Sequence, residues 1–221
     1  MSREIVLNFH GIGTPPDRID PSERPYWIGV DLFEDIVAQA ASRPEITFTF
    51  DDGNRSDLEI AAPVLAKHGR TGAFFILTGR LADPGYLAPA DIRALDAMGM
   101  EIGLHGRDHV DWRRLDDRVL NEETVAAREI LAEAAGQAVS DVSIPFGKYD
   151  RRIIRHLCEC GFSSIFTSDG GPTDAHSRVK SRTSFRSDMT PRVVGDILAG
   201  ATPPVAAMKR TASTFLRRYI V

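Results

Sequence analysis

Short β-rich runs alternate with helix-patterned stretches along this chain, and few folds accommodate that rhythm. The runs cover residues 5–9, 46–50, 72–77, 101–104, 139–144 and 162–167. Short runs bounded by turn residues are the pattern of strands covered on both faces. Helical spacing and helix punctuation fill the gaps. Asp57 stands as a cap for residues 58–67, which Gly69 ends, and Pro89 opens a helix through Met98 before Gly99. Residues 117–135 carry apolar side chains at helical spacing up to Gly136, and Asp150 caps 151–159 ahead of Gly161. Residues 204–219 read as a last amphipathic helix with Met208, Phe215 and Leu216 inward, and residues 11–25, dense in Pro and Asp, as a long loop. The alternation predicts an α/β fold with a largely parallel sheet wrapped by helices. No repeat, low-complexity tract or linker divides the chain, so a single domain over 1–221 is expected.

In parallel α/β architectures the C-terminal ends of the strands share one face, and that face carries the active site. Chemically useful residues follow the runs directly: His10, Asp51-Asp52, His105, Pro145-Phe146 and Ser168-Asp169. Residues remote in sequence are therefore expected to converge.

The 221 residues, 43% hydrophobic and 26% charged with a net charge of −4, describe a globular chain with one sizeable core. Slight acidity without a basic face argues against nucleic acid as a partner. The N-terminal apolar run is too short for a signal peptide, and no segment approaches the ~20 apolar residues of a membrane span. A cytoplasmic location is expected on those grounds, and the oligomeric state stays open. Cys158 and Cys160 are too close in sequence for an unstrained disulfide and read as helix residues, which fits a reducing compartment.

Two adjacent carboxylates ending a buried strand repel each other and are costly to desolvate without a cation. A divalent ion resolves this: one Asp becomes a ligand and its neighbour stays free as a base, while Gly53 permits a sharp turn beside the ligand. A helix cap or turn is the plain alternative for Asp51-Asp52. His105 and His109, four apart, would lie on one face of a helical turn, a spacing that brings both imidazoles to one ion. Two imidazoles and one carboxylate leave coordination positions open, as catalytic sites do.

Thr49-Phe50-Asp51-Asp52-Gly53 and the His105–His109 pair, in that order and each after a strand, resemble the first two motifs of the polysaccharide deacetylases. These are the NodB-homology enzymes, carbohydrate esterase family 4, and the resemblance runs from about Ile5 to about Asp169. It implies a distorted, TIM-barrel-like (β/α) barrel of about seven strands. It also implies a divalent ion on Asp52, His105 and His109, zinc first, with cobalt, manganese or nickel compatible. Asp51 then takes the part of general base toward water. The family's third motif, Arg-x-Pro-Tyr-Gly, reads Ser143-Ile144-Pro145-Phe146-Gly147 here, and the resemblance implies an oxyanion contact from the Phe146 backbone N–H. That motif's Arg orients the catalytic carboxylate; with Ser143 in its place, Arg182 or Arg107 would have to stand in, and a surface Arg is the plain alternative for each.

Pro145, Arg182 and Asp169 complete the set assigned to substrate. The family's final motif, which supplies a general-acid His, has no counterpart after Asp169; residues 179–183 are instead similar to a branch with an Arg-containing strand. His10 is the first candidate proton donor, as some family members carry a His there, and His176 the second. A His10 hydrogen-bonded beneath the loop 11–25 is the plain alternative. His68 and His156 read as helix residues. Trp27 and Trp112 read as core residues, although either ring is suited to stack on a sugar. The implied reaction removes an N-acetyl group from an amino sugar or N-acetylated oligo- or polysaccharide. Two other readings stay open: deacylation of a small C–N compound such as a formamido sugar or cyclic ureide, and a catalytically silent relative that binds a glycan.

Overall fold

In the computed structural model, which describes residues 3–201, alternate residues of the strands separate into two buried sets. Leu7, Phe9, Phe48, Phe50, Phe74 and Ile165 belong to the large core between strands and helices, whereas Val6, Ala73, Phe75 and Phe166 form a small separate cluster. A period of two with both faces buried is what a closed sheet requires. Its strands are β1 (Arg3–Phe9), β2 (Ile46–Asp52), β3 (Gly72–Ile76), β4 (Glu101–Leu104), β5 (Asp141–Ser143), β6 (Ser164–Thr167) and β7 (Val179–Ser184). Every strand pairs in parallel with its predecessor, and β7 returns to β1 through Val6–Arg182, Leu7–Thr183 and Asn8–Ser184. The result is the distorted (β/α) barrel of seven strands that the resemblance implies, with the parallel sheet expected from the alternation. Thr173–Asp174 adds a short antiparallel edge at the N-terminal end of β1, and Gly11–Ile12 pairs in parallel with Trp27–Ile28.

The outside is covered by α1 (Val30–Ala40), α2 (Ala62–Lys67), α3 (Pro89–Ala97), α4 (Asp117–Asn121), α5 (Ala127–Ala135), α6 (Arg151–Glu159) and α7 (Pro191–Leu198). Helices α1 and α7 have no counterpart in the sequence-based expectation. The Gly29 cap of α1 makes no side-chain hydrogen bond, so punctuation is missing, although Phe33, Ile36, Val37 and Ala40 bury one face. Residues 117–135 are helical but not uniform. Asp116 caps α4, and a π turn at Glu122–Ala126 leads into α5, which Gly136 ends at φ 74°. Asp150 caps α6 as expected, accepting from the Ile153 N–H. The helix expected over 204–219, with Met208, Phe215 and Leu216, lies outside the described residues. No helix among the described residues is long and apolar enough to cross a membrane.

Asp57 departs from its expected capping role. It begins a π turn, Asp57–Ala61, that runs into α2, with Ser56 ahead of it. The side chain is buried, and neither carboxyl oxygen has a hydrogen-bond partner among the described residues. Burial pushes this carboxyl well above the usual carboxylate range, and the charges of Asp52 and Asp51 push it the same way. Burial therefore favours the neutral acid in the fold.

Two outcomes follow for stability. Phe50 is fully buried, with its ring 4.5 Å from Phe74 and 5.4 Å from Phe9, so Phe50→Ala is expected to cost about 3–5 kcal/mol in urea unfolding. A carboxyl raised in the fold contributes stability at low pH that is lost as pH rises above its unfolded value. Asp57→Asn, neutral throughout, is expected to raise Tm at pH 8 and to change it less at pH 5. An equal shift at both would mean that Asp57 is ionised in the fold.

Candidate active site

The inward residues of the barrel become polar toward the strand C-termini. Asn8 on β1, Thr49 and Asp51 on β2, Ser143 on β5 and Arg182 on β7 are all buried. Arg182 meets Asp51 with both arms: Nη1 donates to Oδ1 at 2.8 Å and Nη2 to Oδ2 at 2.7 Å. Nη1 also donates to Asn8 Oδ1 at 2.9 Å, Nη2 to Ser143 Oγ at 2.5 Å, and Asn8 Nδ2 donates to Asp51 Oδ2 at 3.1 Å. Burial would raise the Asp51 carboxyl, but the Arg182 guanidinium, and then His105, hold it far below the usual range. Asp51 is thus an anion. The arginine absent from position 143 is present in space, reaching the small Ser143 from β7. Arg107 is exposed and pairs with Asp108 at 3.6 Å.

Asp52 ends β2 at φ 81°, and Gly53 follows at φ 70°, so the chain turns sharply where the carboxylate is presented. Its Oδ1 lies 3.7 Å from His105 Nε2 and 3.8 Å from His109 Nε2, with one ligand atom from each residue within 4.8 Å of the others. That oxygen is buried and has no hydrogen-bond partner among the described residues. An unsatisfied buried carboxylate oxygen beside two imidazole nitrogens fits a divalent cation and little else. Burial, against the pull of Asp52, pushes the His109 imidazole down to about 4, so it is neutral at pH 7 as a ligand must be. His105 Nδ1 lies 3.0 Å from the Ser143 carbonyl, which selects the tautomer with Nε2 free.

The segment from His105 to His109 is not the helical turn expected from its spacing. It is irregular backbone, with Gly106 at φ 91° and His109 at φ 53°. Glu123, from the π turn after α4, holds it in place. This buried carboxylate accepts from Arg107 N at 3.0 Å, Asp108 N at 3.1 Å and Trp112 Nε1 at 3.3 Å. A Cβ on Gly106 would come within 2.9 Å of Glu123 Oε2. In sequence Glu123 is one acidic residue of a helical stretch, and nothing there marks it. Among the described residues, Asp52, His109 and Phe146 (φ 57°) are three of the four non-glycine residues at positive φ, Ala82 being the other. Backbone strain therefore gathers at this site.

These groups line a cavity of about 360 Å³ that also receives His10, Glu23, Tyr26, Phe146, Lys148 and Ser168. The buried Nδ1 of His10 has no hydrogen-bond partner among the described residues, and its ring lies 4.8 Å from Tyr26. Burial lowers its pKa, against the raising effect of Asp52 and Asp51. Phe146 is half exposed, its ring 4.2 Å from His109. The second proton-donor candidate, His176, is exposed and follows the edge that pairs with Arg3–Glu4, at the opposite end of β1 from the cavity. Neither His68 nor His156 lines the cavity; His156 Nε2 lies 2.8 Å from Thr124 Oγ1. Trp27 and Trp112 are core residues, as expected. Pro145, Arg182 and Asp169 do not line the cavity: the first two are buried, and Asp169 accepts from Tyr149 OH at 2.5 Å and Thr167 Oγ1 at 2.8 Å. The cavity wall is made instead by Tyr26, Phe146, Lys148 and Ser168.

Comparison with known proteins agrees with this fold. The family profile described as polysaccharide deacetylase matches residues 38–165, a span that includes Asp51, Asp52, His105, His109 and Phe146. YxkH of Bacillus subtilis, named for polysaccharide deacetylation, is 22% identical over 126 residues, which cover 57% of this chain and 45% of YxkH. The chain thus matches less than half the length of that relative. Among solved structures, the Streptococcus pyogenes deacetylase PplD in complex with acetate shares 18% identity and a TM-score of 0.76, over 91% of this chain and 99% of that one. The Bacillus cereus polysaccharide deacetylase BC0361 shares 16% identity and a TM-score of 0.77, over 89% and 69%. IcaB from Ammonifex degensii shares 22% identity and a TM-score of 0.66, over 92% and 98%. At such identities the structural likeness is one of fold. With a profile match across more than half of its length, the chain belongs to the polysaccharide deacetylase family.

Proposed function

We propose that this chain is a divalent-metal-dependent hydrolase that removes the N-acetyl group from an amino sugar within an oligo- or polysaccharide. The observation that carries the reading is the unpartnered Asp52 Oδ1 beside two imidazole nitrogens, adjacent to an Asp51 held as an anion. Asp52 Oδ1, His105 Nε2 and His109 Nε2 would hold the ion, and this donor set fits zinc while accepting cobalt, manganese or nickel. When bound there, such an ion supplies Lewis acidity toward the acetamide carbonyl and lowers the pKa of water.

The remaining chemistry belongs to the chain. Asp51 takes the proton of the attacking water. Because Arg182 makes it a weak base, that transfer is driven by the acidity of the water and not by the basicity of the carboxylate. The Phe146 N–H serves the oxyanion, its backbone pre-set at positive φ. His10, neutral at rest, takes up the proton that Asp51 removed from water and passes it to the departing nitrogen as the tetrahedral adduct collapses, which leaves Asp51 ionised and His10 neutral again. Tyr26 and Phe146 offer ring faces to a sugar at the cavity wall. Acetate, the small product of this reaction, accompanies the S. pyogenes deacetylase of the same fold.

The test is acetate release from chitooligosaccharides. Chelation is expected to abolish it and added zinc or cobalt to restore it. Asp51→Asn is expected to lower kcat about 10²–10⁴-fold with the metal still bound, whereas His105→Ala loses metal and activity together. Release that persists without metal would overturn the reading, as would an Asp51→Asn enzyme of undiminished activity. Formamido sugars and allantoin run in parallel identify a small-substrate deacylase, and glycan binding without turnover under any of the four ions identifies a binding protein.

A further inference from the structure

One carboxylate of the cavity has no part in the chemistry above. Glu23 sits in the Pro- and Asp-rich loop, at the start of a 3₁₀ turn, Arg24–Tyr26, and its carbonyl accepts from the Tyr26 N–H at 2.9 Å. Its Oε1 lies 3.7 Å from His109 Nδ1, and among the described residues no other basic group lies within ion-pair distance of it. The opposite ring nitrogen, Nε2, is the one that faces Asp52 Oδ1. His105 is built in the same sense, with Nε2 toward Asp52 and Nδ1 against the Ser143 carbonyl. Each imidazole thus has one nitrogen toward the shared centre and an oxygen of the chain behind the other.

We infer that Glu23 is a positioning residue for the metal centre, its carboxylate facing His109 Nδ1–H at ion-pair distance and so favouring one tautomer and orientation of that ligand. A carboxylate behind a coordinating imidazole raises its basicity and holds its ring, and losing it typically costs 10–100-fold in metal affinity. The need is greater at His109 than at His105. His109 sits on irregular backbone at φ 53°, whereas His105 directly follows β4. The loop 11–25 thereby becomes part of the metal centre and more than a rim to the cavity. The inference rests on the proposed ligand set of Asp52, His105 and His109.

Zinc affinity of the metal-free full chain, measured by competition with a chromophoric chelator, tests both levels separately. Glu23→Gln and Glu23→Ala are expected to raise the Kd about 10–100-fold and to change the visible absorption of the cobalt form. Asp17→Asn, which removes an exposed charge from the same loop, is expected to do neither. The melting temperature of metal-free Glu23→Gln should match the wild type, which separates positioning from folding. Unchanged affinity and spectrum in both Glu23 variants, with zinc still lost in His105→Ala, overturns this inference alone. A loss as complete as that of His109→Ala would make Glu23 a ligand and overturn the positioning role. A wild-type protein that binds no zinc overturns the ligand set and this inference with it.

Discussion

Arg182 and Asp51 meet inside the barrel with side-chain exposures of 0% and 3%, and the site is arranged around them. Taking two ions out of water costs several kcal/mol each, which attraction offsets only when geometry is good and the remaining donors and acceptors are satisfied. Both conditions hold. The contact is bidentate, and Asn8, Thr49 and Ser143 supply further partners. Those partners come from β1, β2 and β5, and Arg182 itself from β7. The pair is therefore satisfied only after β7 has closed onto β1, and an incompletely closed barrel would bury charges without partners.

The same pair separates two carboxylates that are chemically identical and adjacent in sequence. Asp51 points inward and is neutralised by Arg182. Asp52 points to the opening, where its Oδ1 finds two imidazole nitrogens and no donor of its own. Asp51 is an anion balanced by Arg182, while the buried Asp52 Oδ1 is the atom suited to hold a cation. Geometry around the opening is held by strain and by buried acceptors. Asp52, His109 and Phe146 all adopt left-handed backbone, which persists only where surrounding contacts over-determine it. Around His109 those contacts are the Glu123 hydrogen bonds to the preceding backbone amides and the close fit of Gly106 against Glu123 and Trp112.

Much of this was legible in the sequence. The alternation of runs pointed to a parallel α/β sheet, because a strand buried on both faces needs apolar residues over its whole length. Of the residues read at strand ends, His10, Asp51, Asp52, His105, Phe146 and Ser168 meet at one cavity, because the C-termini of parallel strands share one face, whereas Pro145 and Asp169 do not line it. Legibility failed where local punctuation was absent, as at α1, and also where it was present, as at the Thr190 cap of α7 and at Asp57. Helix α1 starts from Gly29 without a side-chain cap. Asp57 looks like a capping residue by type, yet it is swallowed by the barrel wall. The four-residue spacing of His105 and His109 suits a helix, but a loop pinned by Glu123 achieves the same convergence.

Local chemistry therefore indicated most of the strands and helices, α1 and α7 excepted, and the residue types at the strand ends, since these follow from propensities and patterns over a few neighbouring positions. Partnership was a matter of three-dimensional closure. Arg182 and Asp51 are 131 residues apart; the resemblance offers Arg182 and Arg107 alike as the partner of the carboxylate, and only closure of β7 onto β1 chooses Arg182. Glu123 and Glu23 are ordinary acidic residues until folding sets one against the amides of the His105–His109 loop and the other behind an imidazole. Electrostatic and hydrogen-bond energies depend on distances between atoms, and in a barrel those distances are set by strand register and closure, which spacing along the chain does not encode.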